Sequence, residues 1–516
     1  MNNNGVGSWL HRRRIKSGTK TAVISGERTV SYADLADRTD RLANALKDRG
    51  VAKGDRVAYL GENDPSFVEA FFACGLIGAI FVPLNTRLAA PELQFQLQDS
   101  GARLVVGSAA LESVAAASSL DTEVTHRLVV APDNVTEASA PKLPSGVEHY
   151  GEVLQAASAT PMDEAVTLDD AAMILYTSGT TGKPKGALLT HGNITWNCIN
   201  TVVDMDLNRN DVALMISPLF HVASLDMGLL PMLLKGATVV LESKFDAGRV
   251  LELVGQHKVT TLNGVPTTFQ MLCDHPGWST ADLTSLDKLT CGGSAVPQRV
   301  LDAYEQRGIG FTSCYGMTET APGATMLPVS ASKEKAGSAG LPHFFTDVRI
   351  ADPLGGVAGL GEVGEIQISG PNVIKEYWNR PEATAESYSD ASWFRSGDMG
   401  YRDSEGFLFV SDRIKDMIIS GGENIYPAEV EAAIAELAAV GSVAVIGVED
   451  EKWGEVPRAI VTLREGESLT EEQLRSHLEG RLARYKIPKS VVFVEEMPRT
   501  ASGKIRKMDL RKQYAQ

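Results

Sequence analysis

Residues 176–193 read YTSGTTGKPKGALLTHGN, and nine of the first eleven are glycine, serine, threonine or lysine. The apolar run 171–175, AAMIL, leads straight into them and reads as a buried strand. Gly179, Gly182 and Gly186 let the backbone approach a ligand closely. Thr177, Ser178, Thr180 and Thr181 add hydroxyl donors, while Lys183 and Lys185 add cations, so the loop suits a polyphosphate. A Walker A loop requires G-x-x-x-x-G-K-[ST]; here Thr177 stands for the first glycine and Pro184 for the Mg²⁺-binding hydroxyl. This is a phosphate loop of another design. The bland alternative, a flexible linker, would not follow an apolar strand and carry two lysines.

On both sides of the loop, apolar runs at 56–60, 79–84, 104–106, 239–241 and 262–265 alternate with helical patterns. That alternation predicts an α/β chain with mixed or parallel sheets. One helix has clear ends: Ser31 as cap, Asp34 three residues on, Leu35, Leu42 and Leu46 on one face, Gly50 as stop. Another helical pattern covers 65–76. Between 351 and 401, Gly355, Gly356, Gly359, Gly361, Gly364 and Gly370 punctuate short alternating runs such as EIQIS, the texture of a small β-rich subdomain. Pro427 then opens a helix, and the remainder reads as strand 443–446, strand 459–463, helix 471–483 and strand 491–494, a compact α+β domain of its own.

At 516 residues, 43% hydrophobic and 22% charged, the chain can bury several cores, so at least two domains are expected. A formal charge of -16, from 49 basic and 65 acidic residues, argues against a nucleic-acid backbone as partner. Cys74, Cys198, Cys273, Cys291 and Cys314 are scattered and never form a CxxC pair, which fits a reducing cytoplasm and suggests neither a disulfide framework nor a zinc site. No run of about 18 apolar residues occurs and no signal peptide is recognisable. The basic run His11–Arg14 reads first as the solvated start of a helix and leaves open a weak peripheral contact with anionic lipid.

Further motifs accompany the loop: PLFH at 218–221, GG at 292–293, YGMTET at 315–320, WFRSGD at 393–398, DRIKDMIISGGENIYP at 412–427 and PRTASGK at 498–504. Together with YTSGTTGKPKG they resemble, in order and over nearly the whole chain, the adenylate-forming enzyme superfamily of acyl- and aryl-CoA synthetases, luciferases and adenylation domains. The resemblance implies ATP-driven activation of a carboxylate in two half-reactions. It implies a large N-terminal domain, 1–413, of two layered α/β subdomains plus a small β subdomain. A small mobile α+β domain, 416–516, would follow across a hinge at 414–415.

A carboxylate attacking ATP meets a highly anionic partner, so such a site must gather cations and donors where charge develops. The resemblance makes Lys504 the residue bridging the substrate carboxylate and the α-phosphate; by spacing alone it is one of several cations in a basic tail. It gives Thr318 to the α-phosphate and Glu319 to Mg²⁺, where a capping Thr-Glu pair is the ordinary alternative. Tyr315 and Gly316, with Gly292, Gly293 and Ser294, would line adenine. Asp398 would grip the ribose hydroxyls, supported by Arg413, and Lys415 would lie at the hinge. His221 would stand near the carboxylate and gate the acyl pocket, though a histidine beside apolar residues is more often part of a core.

SGGENIYP and Trp453 in EDEKWGE look like CoA ligases, so the implied cosubstrates are ATP, Mg²⁺ and coenzyme A, with a small carboxylic acid as partner. A separate carrier protein as acceptor, and a homodimer, stay open. NTRLAAPEL and KEYWNRPEAT most resemble bacterial fatty acyl-CoA synthetases, with aryl (cinnamate- or benzoate-type) ligases as the alternative. Asp226, in HVASLDMGLL, departs from a plain fatty-acid pocket; it reads as a cap for the following helix, or else as a partner for a polar substituent of the acid.

Overall fold

The computed structural model describes residues 2–131, 143–177, 184–292, 296–352, 355–390, 392–413, 416–420, 423–451, 453–479, 481–482, 484–500 and 504–515. The chain divides into two compact units, one of Met1–Ala336, Pro342–Asp347 and Ser369–Ser392, the other of Gly337–Leu341, Val348–Ile368 and Trp393–Gln516. The division thus splits the segment 351–401, with 351–368 and 393–401 in the second unit and 369–392 in the first, whereas the sequence reading drew its line at 413.

In the first unit, an eight-stranded sheet runs in the order Glu376–Tyr377, Lys185–Thr190, Ala171–Thr177, Ile80–Pro83, Arg56–Leu60, Ala102–Ser108, His126–Val130, Val147–His149. Its centre is parallel and its phosphate-loop end is antiparallel. A second sheet sets Thr21–Ser25 beside Thr238–Leu241, then Val212–Met215, Thr261–Gly264, Lys288–Gly292 and Phe311–Gly316, all parallel, with antiparallel strands flanking them. Expected strand 262–265 ends one residue early because Pro266, fixed at helical φ, opens the helix Pro266–Cys273 and leaves Val265 extended as its cap.

Helix Tyr32–Asp48 begins as the sequence predicts, with Ser31 and Asp34 closing a reciprocal capping box. Helix Pro65–Ile77 is buried along its whole length. Its Phe67 and Phe71 meet Phe81 edge-on at 5.1 and 5.6 Å, and each such ring stabilises the fold by roughly 1.5–3 kcal/mol through burial. Glu69 on this helix is wholly buried and satisfied, accepting from Arg38 Nε at 2.6 Å and from the Tyr150 hydroxyl at 2.5 Å. The N-terminal turn Val6–Ser8 crosses the same helix glycine to glycine: a Cβ on Gly7 would lie 2.2 Å from the Gly75 carbonyl carbon. Asn3 Nδ2 donates to the carbonyls of Gly75 and Leu76 at 3.0 and 3.3 Å.

The basic run lies on helix Trp9–Ser17 and is engaged within the fold. His11 Nε2 and Arg14 meet buried Asp40 at 2.7 and 3.4 Å, Arg13 Nε donates to the Leu234 carbonyl at 2.9 Å, and Arg12 Nε donates to Ser8 Oγ at 3.3 Å. No helix among the described residues is long and apolar enough to cross a membrane.

The second unit holds a four-stranded sheet, Asp347–Ala351, Gly364–Ser369, Phe394–Arg402 and Leu408–Arg413, and a five-stranded one built on the long pair Val440–Asp450 and Gly454–Leu463. Helices Pro427–Ala435 and Glu471–Leu478 pack Val430, Ile434, Leu474 and Leu478 into one core with Val445 and Val461. The latter helix stops short of the expected 483, since Glu479 is extended at ψ 130.

Candidate active site

The phosphate loop closes a β-hairpin. Strands Ala171–Thr177 and Lys185–Thr190 run antiparallel with Thr177 opposite Lys185 and Tyr176 opposite Gly186. Ser178, Gly179, Thr180 and Thr181 lie outside the described residues. In a Walker A protein the loop opens a helix; here the helix, His191–Asp204, begins only after the second strand, capped by Thr190 and Asn193. The strand ends on either side are held by the ladder between them and by an anchor at Asp99. That residue accepts from the Tyr176 hydroxyl at 2.9 Å through its carboxylate and from Trp378 Nε1 at 3.0 Å through its carbonyl.

Strand Phe311–Gly316 delivers Tyr315 and Gly316, both half-buried, beside Gly292 of the neighbouring strand Lys288–Gly292. Gly293 and Ser294 lie outside the described residues. Gly316 is obligatory, because a Cβ there would sit 1.7 Å from the Pro322 carbonyl oxygen. The chain then forms the short turn Thr318–Thr320, held by Asn372 Nδ2 donating to the carbonyls of Thr320 and Gly323, each at 2.7 Å. Glu319 Oε1 accepts from the Tyr377 hydroxyl at 2.8 Å, and the Glu319 carbonyl accepts from Ile374 N at 2.9 Å. Lys185 Nζ lies over the same Tyr377 ring, 5.6 Å from its centroid. The loop lysine and the acid expected to hold Mg²⁺, 134 residues apart in sequence, therefore converge on one tyrosine.

Residues 10–378 match the AMP-binding enzyme family, and residues 429–504 match that family's C-terminal domain. The chain belongs to the AMP-binding enzyme family.

A feruloyl-CoA synthase of Amycolatopsis is 49% identical over 100% of both chains. A long-chain-fatty-acid–CoA ligase of Mycobacterium tuberculosis is 38% identical over 99% of this chain and 98% of its own. Among solved structures, the o-succinylbenzoate CoA synthetase of Bacillus subtilis in complex with its acyl-adenylate intermediate superposes with a TM-score of 0.84 at 34% identity, over 98% of each chain. CoA ligases of this family use ATP, Mg²⁺ and CoA, and this AMP-binding enzyme is an acid–CoA ligase. The expected leaning toward fatty acyl-CoA synthetases is left unconfirmed by these identities, the chain being more similar to the feruloyl-CoA synthase than to the fatty-acid ligase.

Glu319 suits Mg²⁺ as a donor: this cation takes one or two carboxylates plus phosphate oxygens and water, rather than a closed protein cage. No group of three or more metal-binding side chains occurs among the described residues.

His221 ends the turn that starts at Pro218, its N–H donating to the Pro218 carbonyl at 3.1 Å, and is half-buried with its ring 4.7 Å from that of Phe220. Its carbonyl accepts from Ser224 N and Leu225 N, which starts a π-helix, Ala223–Leu229. Ala223 is the exposed residue of that element. Asp226 sits inside the π-helix and caps nothing, contrary to the expected capping role. Its carbonyl accepts from Asn197 Nδ2 at 2.8 Å, but neither carboxyl oxygen has a hydrogen-bond partner among the described residues, and burial pushes its pKa well above the ordinary carboxylate range.

In the second unit, Asp398 is 5% exposed and lies opposite Arg413 in the ladder between Phe394–Arg402 and Leu408–Arg413. Its N–H donates to Ser396 Oγ at 3.0 Å across Gly397, whose φ of +71 favours glycine. The side chain of Arg413 and the whole of Lys415 lie outside the described residues. Lys504 is exposed and bonded to Thr500, its N–H donating to Thr500 Oγ1 at 3.1 Å and its carbonyl accepting from Thr500 N at 2.7 Å. Trp453 stands 44% exposed at the turn between the two long strands.

Sequence reasoning missed Tyr377, Asn372 and Asp99. Tyr377 fell within a stretch, KEYWNRPEAT, noticed only for its likeness to fatty acyl ligases.

Proposed function

We propose that this ligase activates an aryl acid of hydroxycinnamate type, forming the aryl-adenylate and pyrophosphate and then the aryl-CoA thioester and AMP. The observation that carries the adenylation chemistry is the convergence of Lys185 and Glu319 on Tyr377. The acid class is supported by the full-length similarity to a feruloyl-CoA synthase. In this reading Thr177, Ser178, Gly179, Thr180, Thr181 and Lys185 hold the β- and γ-phosphates while Thr318 meets the α-phosphate. Glu319 supplies the carboxylate for Mg²⁺, which offsets phosphate charge when bound. Gly292, Gly293, Ser294, Tyr315 and Gly316 receive adenine; Asp398 and Arg413 receive the ribose. His221 stands by the acid, Lys504 meets its carboxylate as the adenylate forms, Trp453 serves CoA, and Lys415 serves the hinge. A reducing cytoplasm is the proposed setting.

The deciding experiment is AMP release in the presence of CoA from ferulate, unsubstituted cinnamate, benzoate and fatty acids of graded length. Turnover of ferulate and cinnamate above the fatty acids is expected, and Lys504→Ala should abolish AMP formation from all of them. A preference for a long-chain fatty acid would overturn the acid class while leaving the adenylation chemistry in place.

A further inference from the structure

Tyr377 belongs to neither the phosphate loop nor the metal-binding turn, yet both reach it. The strand Glu376–Tyr377 forms the edge of the eight-stranded sheet, with Tyr377 opposite Ala187 and Glu376 opposite Leu188. Its neighbour Trp378 donates its N–H to the Gly186 carbonyl at 2.7 Å, and Tyr377 donates its own to Thr384 Oγ1 at 3.0 Å. These bonds fix the ring against the strand that carries Lys185. The ring face receives Lys185 Nζ at 5.6 Å, and the hydroxyl is donated to Glu319 Oε1 at 2.8 Å.

We propose that Tyr377 is a positioning residue that aims the Glu319 carboxylate through its hydroxyl and steadies Lys185 through its ring. One oxygen of Glu319 is thereby held to the protein, so the carboxylate enters the site in a fixed orientation rather than swinging through its rotamers. The two halves of the tyrosine act on different ligand groups, hydroxyl on the metal and ring on the phosphate. The inference rests on the proposed roles of Glu319 and Lys185.

The separation makes it testable by calorimetric titration of ATP into the full-length protein, with Mg²⁺ and with the metal removed by chelator. Tyr377→Phe keeps the ring and loses the hydroxyl: ATP affinity should fall about tenfold with Mg²⁺ and stay unchanged without it. Tyr377→Leu loses both, and should also weaken metal-free ATP by about two- to fivefold. Thermal unfolding of each variant reports the fold independently. If Tyr377→Phe weakens ATP equally in both conditions, or in neither, the tyrosine is structural and the proposal falls. Glu319→Gln separates the two levels. If it leaves the Mg²⁺ effect intact, the metal role of Glu319 fails and takes the proposal with it; if it removes that effect while Tyr377→Phe does not, only the tyrosine's role fails.

Discussion

Asp226 shows what an isolated acid does to a fold. Wholly buried, with no donor to either oxygen among the described residues, its carboxyl is more stable protonated. Its folded pKa is raised above the unfolded one, so its contribution to stability is fully present below the unfolded pKa and is lost as pH rises. Asparagine keeps the shape and cannot ionise. The melting temperature of Asp226→Asn, relative to wild type, should therefore climb between about pH 4 and about pH 8, as thermal unfolding across that range would measure. A constant difference would mean that the carboxyl is paired after all. The sequence flagged Asp226 as out of place but could not say why, since its meaning depends on the absence of partners from other elements. The same limit hid Tyr377, an ordinary aromatic until Lys185 and Glu319 are seen on either side of it.

Among the elements, those whose ends are written in neighbouring residues were readable. Ser31 and Asp34 close the helix Tyr32–Asp48, and the strand Arg56–Leu60 appears with the bounds its apolar run implies. The hairpin around the phosphate loop was not readable: the apolar run after Gly186 fits either a strand or a helix start, and only the ladder to Ala171–Thr177 selects the strand. The turn Thr318–Thr320 depends on one glycine. With the Pro322 carbonyl only 1.7 Å from any Cβ, Gly316→Ala has to displace the turn that carries Thr318 and Glu319. Since a shift of about 1 Å can cost about a hundredfold in rate, adenylation measured by pyrophosphate exchange should fall by at least that factor. Gly54→Ala is the control: its φ of +84 adds a backbone strain that Gly316 does not have, but nothing lies within 4 Å of the added Cβ, and exchange should survive.

At the scale of the molecule, distant segments are joined by single buried groups. His191 opens helix His191–Asp204 and accepts a hydrogen bond at Nδ1 from Val6 N at 3.2 Å, which fastens the N-terminal turn. Burial pulls its pKa down to about 4. A lowered folded pKa means stability present above the unfolded value of 6.5 and lost as pH falls toward 4. The loss amounts to about 3 kcal/mol, at 1.36 kcal/mol per pKa unit. Urea unfolding at stepped pH should show this slope, and His191→Gln should flatten it. Thr21–Ser25 illustrates the other kind of long connection. Its parallel partner is Thr238–Leu241, and Thr238 Oγ1 donates to the Thr21 carbonyl across 217 residues of chain. At about 5–20 residues per second of synthesis, the nascent strand waits roughly 10–40 s for that partner. During this interval Ala22 and Val23, fully buried in the finished protein, have only the short neighbouring strand Arg28–Ser31 to pair with. This apolar strand is thus a natural client for a chaperone, and output of active enzyme should depend on translation speed over the intervening two hundred codons.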